Sequence, residues 1–266
     1  MTSTPPSRSQ TERADNARAR ILEAAIRQFS QSGLAGARTE QIAEEAGVNK
    51  ALLYYYFRSK DELYQAALET VVEGVRASSF AVLETDAPAG ERFLRIALNH
   101  FDRMHSNREF QSLMQQEMIR LHRGEANALG PIAEKLMRPL WSRVDTLVKE
   151  GIAAGEIIPV EWTQLIYAGL GANVFYFLSA PLTMLAQGYD PLTSTALAFR
   201  RKVAIEYLGQ TIFVDRAHGA IVAARVLAAT PMPDHIESPA DRSRNANFKN
   251  FNIEAGQTSA VEERYK

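Results

Sequence analysis

The chain has 266 residues, room for a small domain and a larger one, and its 46% hydrophobic and 23% charged residues are the ordinary balance of a globular protein with a sizeable core. It has no cysteine, which excludes disulfides, thiolate catalysis, cysteine-ligated zinc and thiol-based redox sensing. The net charge of −1 conceals an asymmetry: residues 1–60 hold nine Lys/Arg against six Asp/Glu, so a positive N-terminal end precedes a negative remainder.

Residues 1–13 form a polar Pro/Ser/Thr-rich arm with Arg8 and Arg13, too polar to fold alone. It reads as a solvated tail or as an arm that lays arginines in a minor groove. It lacks the apolar run of a secretory signal, so the expected location is the cytoplasm. From Asp15 onward, Ile21, Leu22, Ala25, Ile26 and Phe29 recur at helical spacing, and the helix should stop near Ser32-Gly33.

The next stretch, TEQIAEEAGVNKALLYYYFRSK from Thr39 to Lys60, reads as two short helices about a tight turn. Thr39 is placed to cap the first helix, Ile42, Ala43 and Ala46 give it one apolar stripe, and Gly47 permits the turn. Asn49 serves as a cap or as a base reader. On the second helix Leu53 and Phe57 share the core face while Ala51 and Tyr55 lie nearly opposite, flanked by Leu52 and Tyr54. Such a pair lays its second helix in the major groove of DNA. Phenol hydroxyls can donate to phosphates, and Ala51 is small enough for close approach to base edges. Tyr56, beside Leu53 at helical spacing, reads as core in preference to a DNA contact. Ser59 and Glu62 make a capping box, so a phosphate near Lys60 would meet both its ammonium and a helix N-terminus.

The pattern Ile21-Leu22, Ala24-Ala25, Phe29, Gly33, Thr39, Ile42-Ala43, Ala46-Gly47-Val48, Leu53-Tyr54, Tyr56-Phe57, Ser59-Lys60 and Leu63 resembles the DNA-binding domain of the TetR family of bacterial regulators. The resemblance is dense across residues 18–64. It implies DNA contacts by Thr39, Asn49, Lys50, Ala51, Leu52, Tyr54, Tyr55 and Lys60. Leu52 stands where the family often has a small hydroxyl residue and Tyr55 where it often has histidine, differences that bear on which operator is read.

From Asp61 a long helix carries Leu63, Tyr64, Ala67, Leu68, Val71, Val75 and Val82, and the resemblance makes it a connector. Helical patterns follow at about 89–105, 107–122, 127–154, 161–180 and 191–214, with a further apolar helix at Ile221–Ala229, and no stretch alternates long enough for a sheet. Pro139 should kink the third of these. Phe101, Met104, Met114, Met118, His122, Trp141, Tyr167, Phe175 and Tyr176 are candidates for lining an effector cavity, although methionines and aromatics at helical spacing also serve as plain core. His100, His105 and His122 pair with no other ligand in a metal motif, so no metal or cofactor is expected. The run Leu165–Leu178 is too short to span a bilayer and apolar nearly all round, which predicts burial on most sides. Its small residues Ala168, Gly169, Gly171 and Ala172 would admit a second helix and, with 191–213, make half of a four-helix dimer interface, as the corresponding helices do in the resembled family. From Pro231 the composition predicts disorder.

The expected fold is therefore all-α, with an arm at 1–13, a three-helix DNA-binding domain at 14–60, a connector plus helical ligand-binding and dimerisation domain at 61–230, and a tail at 231–266. The expected function is a homodimeric repressor of a palindromic operator, released by a small apolar or amphipathic effector. A DNA-binding regulator without an effector, controlled by a partner or acting as an activator, is the alternative. No nucleophile elbow, phosphate loop or H-E-x-x-H points to catalysis.

Overall fold

The computed structural model describes residues 8–125 and 128–233, with the side chains of 8–15 and of Leu136 left aside. The described residues form twelve α-helices and two π-helical turns, joined by short connections and by one isolated bridge between Ile157 and Phe213. The all-α expectation holds. Two compact units result: a head made of residues 1–76 and 107–137, and a body made of 77–106 and 138–266.

In the head, α1 (Arg8–Gly36) is broken at Gly33, whose φ of 68° is open to glycine without strain. Helix therefore occupies Arg8 to Arg13 of the expected arm, and residues 1–7 lie outside the described part. The head continues with α2 (Thr39–Glu45), α3 (Lys50–Tyr56), the first two thirds of α4 (Lys60–Leu83), α6 (Arg108–His122) and the single turn α7 (Leu129–Ile132). Ile21, Phe29, Ile42, Leu53, Phe57, Leu63, Leu68 and Leu113 are all wholly buried in one core. Burying that apolar stripe is what holds two seven-residue helices in shape, since helices so short do not persist alone.

α6 adds polar fastenings to this core. Ser112 Oγ and Gln116 Nε2 both donate to the carbonyl of Ser30 near the end of α1, at 2.6 and 3.0 Å. Glu117, fully buried, accepts from the Tyr64 phenol of α4, from Arg120 and from the backbone N–H of Ala128.

The body comprises α5 (Ala89–Ser106), α8 (Arg138–Ala153), α9 (Trp162–Ile166), α10 (Ala172–Gln187), α11 (Ser194–Ile212) and α12 (Arg216–Ala229), with the last turns of α4. The expected segment 127–154 is divided: a π-helical turn, Ala133–Met137, separates α7 from α8 and ends two residues before Pro139. The ring lacks an N–H and crowds the carbonyl four residues back, and the widened turn absorbs that misfit. A second π-helical turn, Tyr167–Gly171, joins α9 to α10. α11 and α12 approach each other at Gly209 and Gly219 with no room for a Cβ between the backbones.

One expectation is corrected in the body. The segment Leu165–Leu178 is not buried on most sides, for Tyr167, Val174, Phe175 and Leu178 are exposed. With α9 and α10 it forms a continuous 26-residue helical run, Trp162–Gln187, long and apolar enough by composition to cross a membrane. Of the expected tail, residues 231–233 are described: Met232 packs against the cluster that includes Phe101 and Leu197, and Arg201, paired bidentately with Asp102 at 2.7 and 2.8 Å, also donates to the carbonyls of Thr230 and Pro231. Burial lifts the Asp102 carboxyl despite that guanidinium. Residues 234–266 lie outside the described part.

Candidate functional site

The two short head helices are joined by a turn built on Gly47, at φ 64°, with the backbone N–H of Val48 returning to the Ala43 carbonyl at 2.9 Å. Asn49 then opens α3 as its cap, its side-chain oxygen accepting from the N–H of Leu52 at 2.8 Å. The cap leaves the Asn49 amide N–H2 free for an outside acceptor. Leu53 and Phe57 sink into the core, Tyr56 is half-buried against it, and Lys50, Ala51, Tyr54 and Tyr55 are exposed, Tyr55 at 80%. The wheel drawn from sequence is thus the wheel observed.

Thr39 does not cap α2. The N-cap position falls on Arg38 without a side-chain bond, and Thr39 is buried in the first turn with its hydroxyl 3.1 Å from the Tyr54 phenol. Each hydroxyl has one proton, so whichever donates within the pair, one O–H remains available to a phosphate. Lys50 pairs with Glu40 and lies 5.8 Å from the Tyr54 ring centroid, and this ammonium holds the Glu40 carboxyl below its usual range. Lys60 donates to the Ala35 carbonyl at 3.2 Å. The capping box forms with a shifted partner: Glu62 N–H donates to Ser59 Oγ, while the Glu62 carboxylate accepts from Arg58 N–H. All eight residues inferred for DNA contact belong to the head, and Lys50, Ala51, Tyr54 and Tyr55 present the exposed side of α3, with Leu52 half-buried beside them.

The nine effector candidates are not gathered in the same way. Met114, Met118 and His122 belong to the head, where Met118 is exposed and His122 Nδ1 bonds the Met118 carbonyl. In the body, Phe101, Met104 and Tyr176 meet in one filled cluster with Phe177 and Leu197. Trp141 instead lies by Trp162, and Tyr167 and Phe175 are surface residues, 71% and 66% exposed. Helical periodicity gives the face a residue occupies but not the neighbour that face meets. Of the four small residues, Gly169 is buried against the chain's own Leu208 and Phe93, whereas Ala168 and Ala172 are exposed and Gly171 is half-buried. Gly169 is therefore withdrawn from the expected dimer surface.

Two family profiles match the chain: one described as bacterial regulatory proteins, tetR family, over residues 21–67, and one described as tetracyclin repressor-like, C-terminal domain, over residues 91–208. The HTH-type transcriptional regulator RutR of Escherichia coli O157:H7 is 33% identical over 167 residues, covering 60% of this chain and 74% of that protein. The chain belongs to the TetR family. It is accordingly a DNA-binding transcriptional regulator with a helix-turn-helix head. Among solved TetR-like folds, a transcriptional regulator of Saccharomonospora viridis in complex with choline aligns with a TM-score of 0.61 at 19% identity, covering 76% of this chain and 100% of that one. The regulator FadR of Bacillus subtilis in complex with stearoyl-CoA gives 0.55 at 19%, covering 71% and 96%. At these identities the likeness is one of fold.

Sequence reasoning missed Glu117, Ser112 and Gln116, which fasten α6 to the head. The only sequence signal was a carboxylate at an inward position of an apolar helical pattern, beside Leu113 four residues earlier.

Proposed function

We propose that the protein is a homodimeric repressor that reads an inverted-repeat operator and releases it on binding a small molecule. The observation that carries this reading is the exposed edge of α3, with Ala51 and Tyr55 presented beside a capping Asn49 and a hydroxyl pair, Thr39 and Tyr54. Ala51, Leu52, Tyr55 and the Asn49 amide are assigned to base edges, and Thr39, Lys50, Tyr54 and Lys60 to phosphates. No catalytic role is assigned, and the working location is the cytoplasm.

A second copy is assigned to the apolar face of the body. Phe175, Leu178, Leu182 and Leu185 of α10 are exposed, and so are Phe199, Val203 and Tyr207 of α11. Exposed large apolar residues in this number on two helices mark an interaction surface. Because α11 also carries the exposed charges Lys202 and Glu206, a helical partner fits these residues better than lipid does. Ala168 and Ala172 stay assigned to this surface, and two-fold pairing would present two heads to half-sites roughly 34 to 36 Å apart. Support for the effector is limited to the choline and stearoyl-CoA complexes of proteins of like fold.

The test is selection of bound sequences from random duplex DNA with purified protein at two salt concentrations, together with sedimentation of the protein alone. An enriched inverted repeat and a dimer are expected, the dimer being lost in Phe175→Asp with Leu178→Glu. Enrichment of a single half-site by a monomer, or a need for detergent to keep the protein dispersed, overturns the reading. A body that binds no small molecule while the operator is bound would favour the regulator without an effector.

A further inference from the structure

A cleft of about 460 Å³ opens within the head, walled by α1, by α4 and by α7 with its following π-helical turn. That volume is in the range of small-molecule sites. Its floor is apolar, made by Ala66, Val72 and Ile132 with Pro131 at the lip. Its rim is charged but unevenly matched. Arg76 and Glu73 neutralise one another, and Glu69 accepts a bond from the Gln65 amide. Arg18 on one wall and Lys135 on the other take part in none of the ion pairs found among the described residues. Arg18 is instead stacked over the Phe57 ring, 5.3 Å from its centroid, at the residue that ends α3. A π-helical turn of the kind found at Ala133–Met137 often marks a functional site, and here it carries Lys135.

We propose that this cleft binds a small amphipathic organic monoanion, its carboxylate held between Arg18 and Lys135 and its apolar part laid on Ala66, Val72, Ile132 and Pro131. Two cations without a carboxylate partner among the described residues, facing an apolar floor, are complementary to that chemistry. Glu69 on the same α4 wall, bonded only to a neutral amide, repels a second negative charge, which confines the ligand to a monoanion. An occupant competes with Phe57 for the Arg18 guanidinium, so the site adjoins the end of the reading helix. The assignment goes beyond the repressor reading, and occupancy is measured without DNA.

The experiment is calorimetric titration of the full-length protein with sodium octanoate, with sodium acetate and octyltrimethylammonium as comparison probes. One saturable octanoate site per chain is expected, weakened about tenfold or more in the double variant Arg18→Gln, Lys135→Gln, consistent with loss of charge-assisted hydrogen bonds. Pro131→Glu, a change at an exposed lip residue, should weaken it as much while circular dichroism stays unchanged. Acetate should show no saturation and the cation at least about tenfold weaker binding, if the floor and the two cations act together. Absence of a saturable octanoate site overturns the proposal. So does a site that both variants leave within about twofold, or equal binding of the cationic probe, each of which places the ligand elsewhere.

Discussion

The Tyr64 phenol donates to Glu117 Oε1 at 2.8 Å, and neither side chain is open to solvent. Arg120 donates to the same oxygen at 2.6 Å and the Ala128 N–H to the other at 2.9 Å, so α4, α6 and the segment before α7 converge on one carboxylate. The Tyr64 ring also meets Phe29 of α1 edge-on at 4.9 Å. Burial and the neighbouring carboxylate push the phenol pKa up, so Tyr64 stays a donor at every physiological pH.

Glu117→Ala should destabilise the protein by about 3 to 5 kcal/mol, because Arg120 and a tyrosine hydroxyl are left without their acceptor. Tyr64→Phe removes one bond to a charged group and should lose about 2 kcal/mol. Urea midpoints of the two single variants and the double check this, and coupling through the shared carboxylate makes the double less costly than the sum.

The hydroxyl pair of Thr39 and Tyr54 gives a second prediction. Tyr54→Phe and Thr39→Val each remove a proton from a pair that has one to spare, so each should weaken DNA binding by about 1 kcal/mol, roughly fivefold. The double variant should be no worse than about twice that, measured by fluorescence anisotropy on a short duplex.

Lys60 and Ala51 should separate affinity from specificity. Lys60→Ala is expected to weaken binding to all sequences and reduce the salt slope by about 1, as for loss of one phosphate contact. Ala51→Leu, on the exposed edge of α3, should change which sequences are enriched. A changed preference in Lys60→Ala would reverse the two assignments.

Gly219 faces Gly209 so closely that a Cβ would lie 1.9 Å from the Gly209 carbonyl oxygen and 2.8 Å from the Phe213 ring. Backbone cannot rotate away as a side chain can, so Gly219→Ala should cost about 3 kcal/mol or more and separate α11 from α12. Gly130→Ala, in open space within α7, is the control and should be neutral or stabilising by up to about 1 kcal/mol. Thermal melts compare the two.

His100 supplies the pH dependence. Its Nδ1 is sealed from solvent with no hydrogen-bond partner among the described residues, and burial pulls the imidazole down to about 4. An unfolded histidine titrates near 6.5, so between about pH 6.5 and 4 the unfolded state binds the extra proton. Stability from this group is complete above pH 6.5 and is lost as pH falls toward 4, by up to about 3 kcal/mol. Urea midpoints measured from pH 7.5 to 5 should fall for the parent and fall less for His100→Phe.

The head was legible from residues alone because its signals are local. Ile42, Leu53 and Phe57 fall on one stripe, Gly47 marks the turn, and Asn49 lies one residue before the helix it caps, so chain spacing settles the geometry. Where a hydroxyl had two possible partners, tertiary structure chose: Thr39 could cap α2, but Tyr54, fifteen residues on, took its oxygen. The same limit explains the body. Phe101, Tyr167 and Phe175 are all aromatic residues in helical patterns, yet Phe101 is core and the other two are surface. Glu117 is the sharpest case, since a carboxylate is buried only when donors from distant helices are there to meet it, and no pattern along one helix reports them. Sequence determined the helices, their caps and the reading edge of α3; packing between elements decided which faces are core, which carboxylate is sealed inside, and where the head opens a cleft.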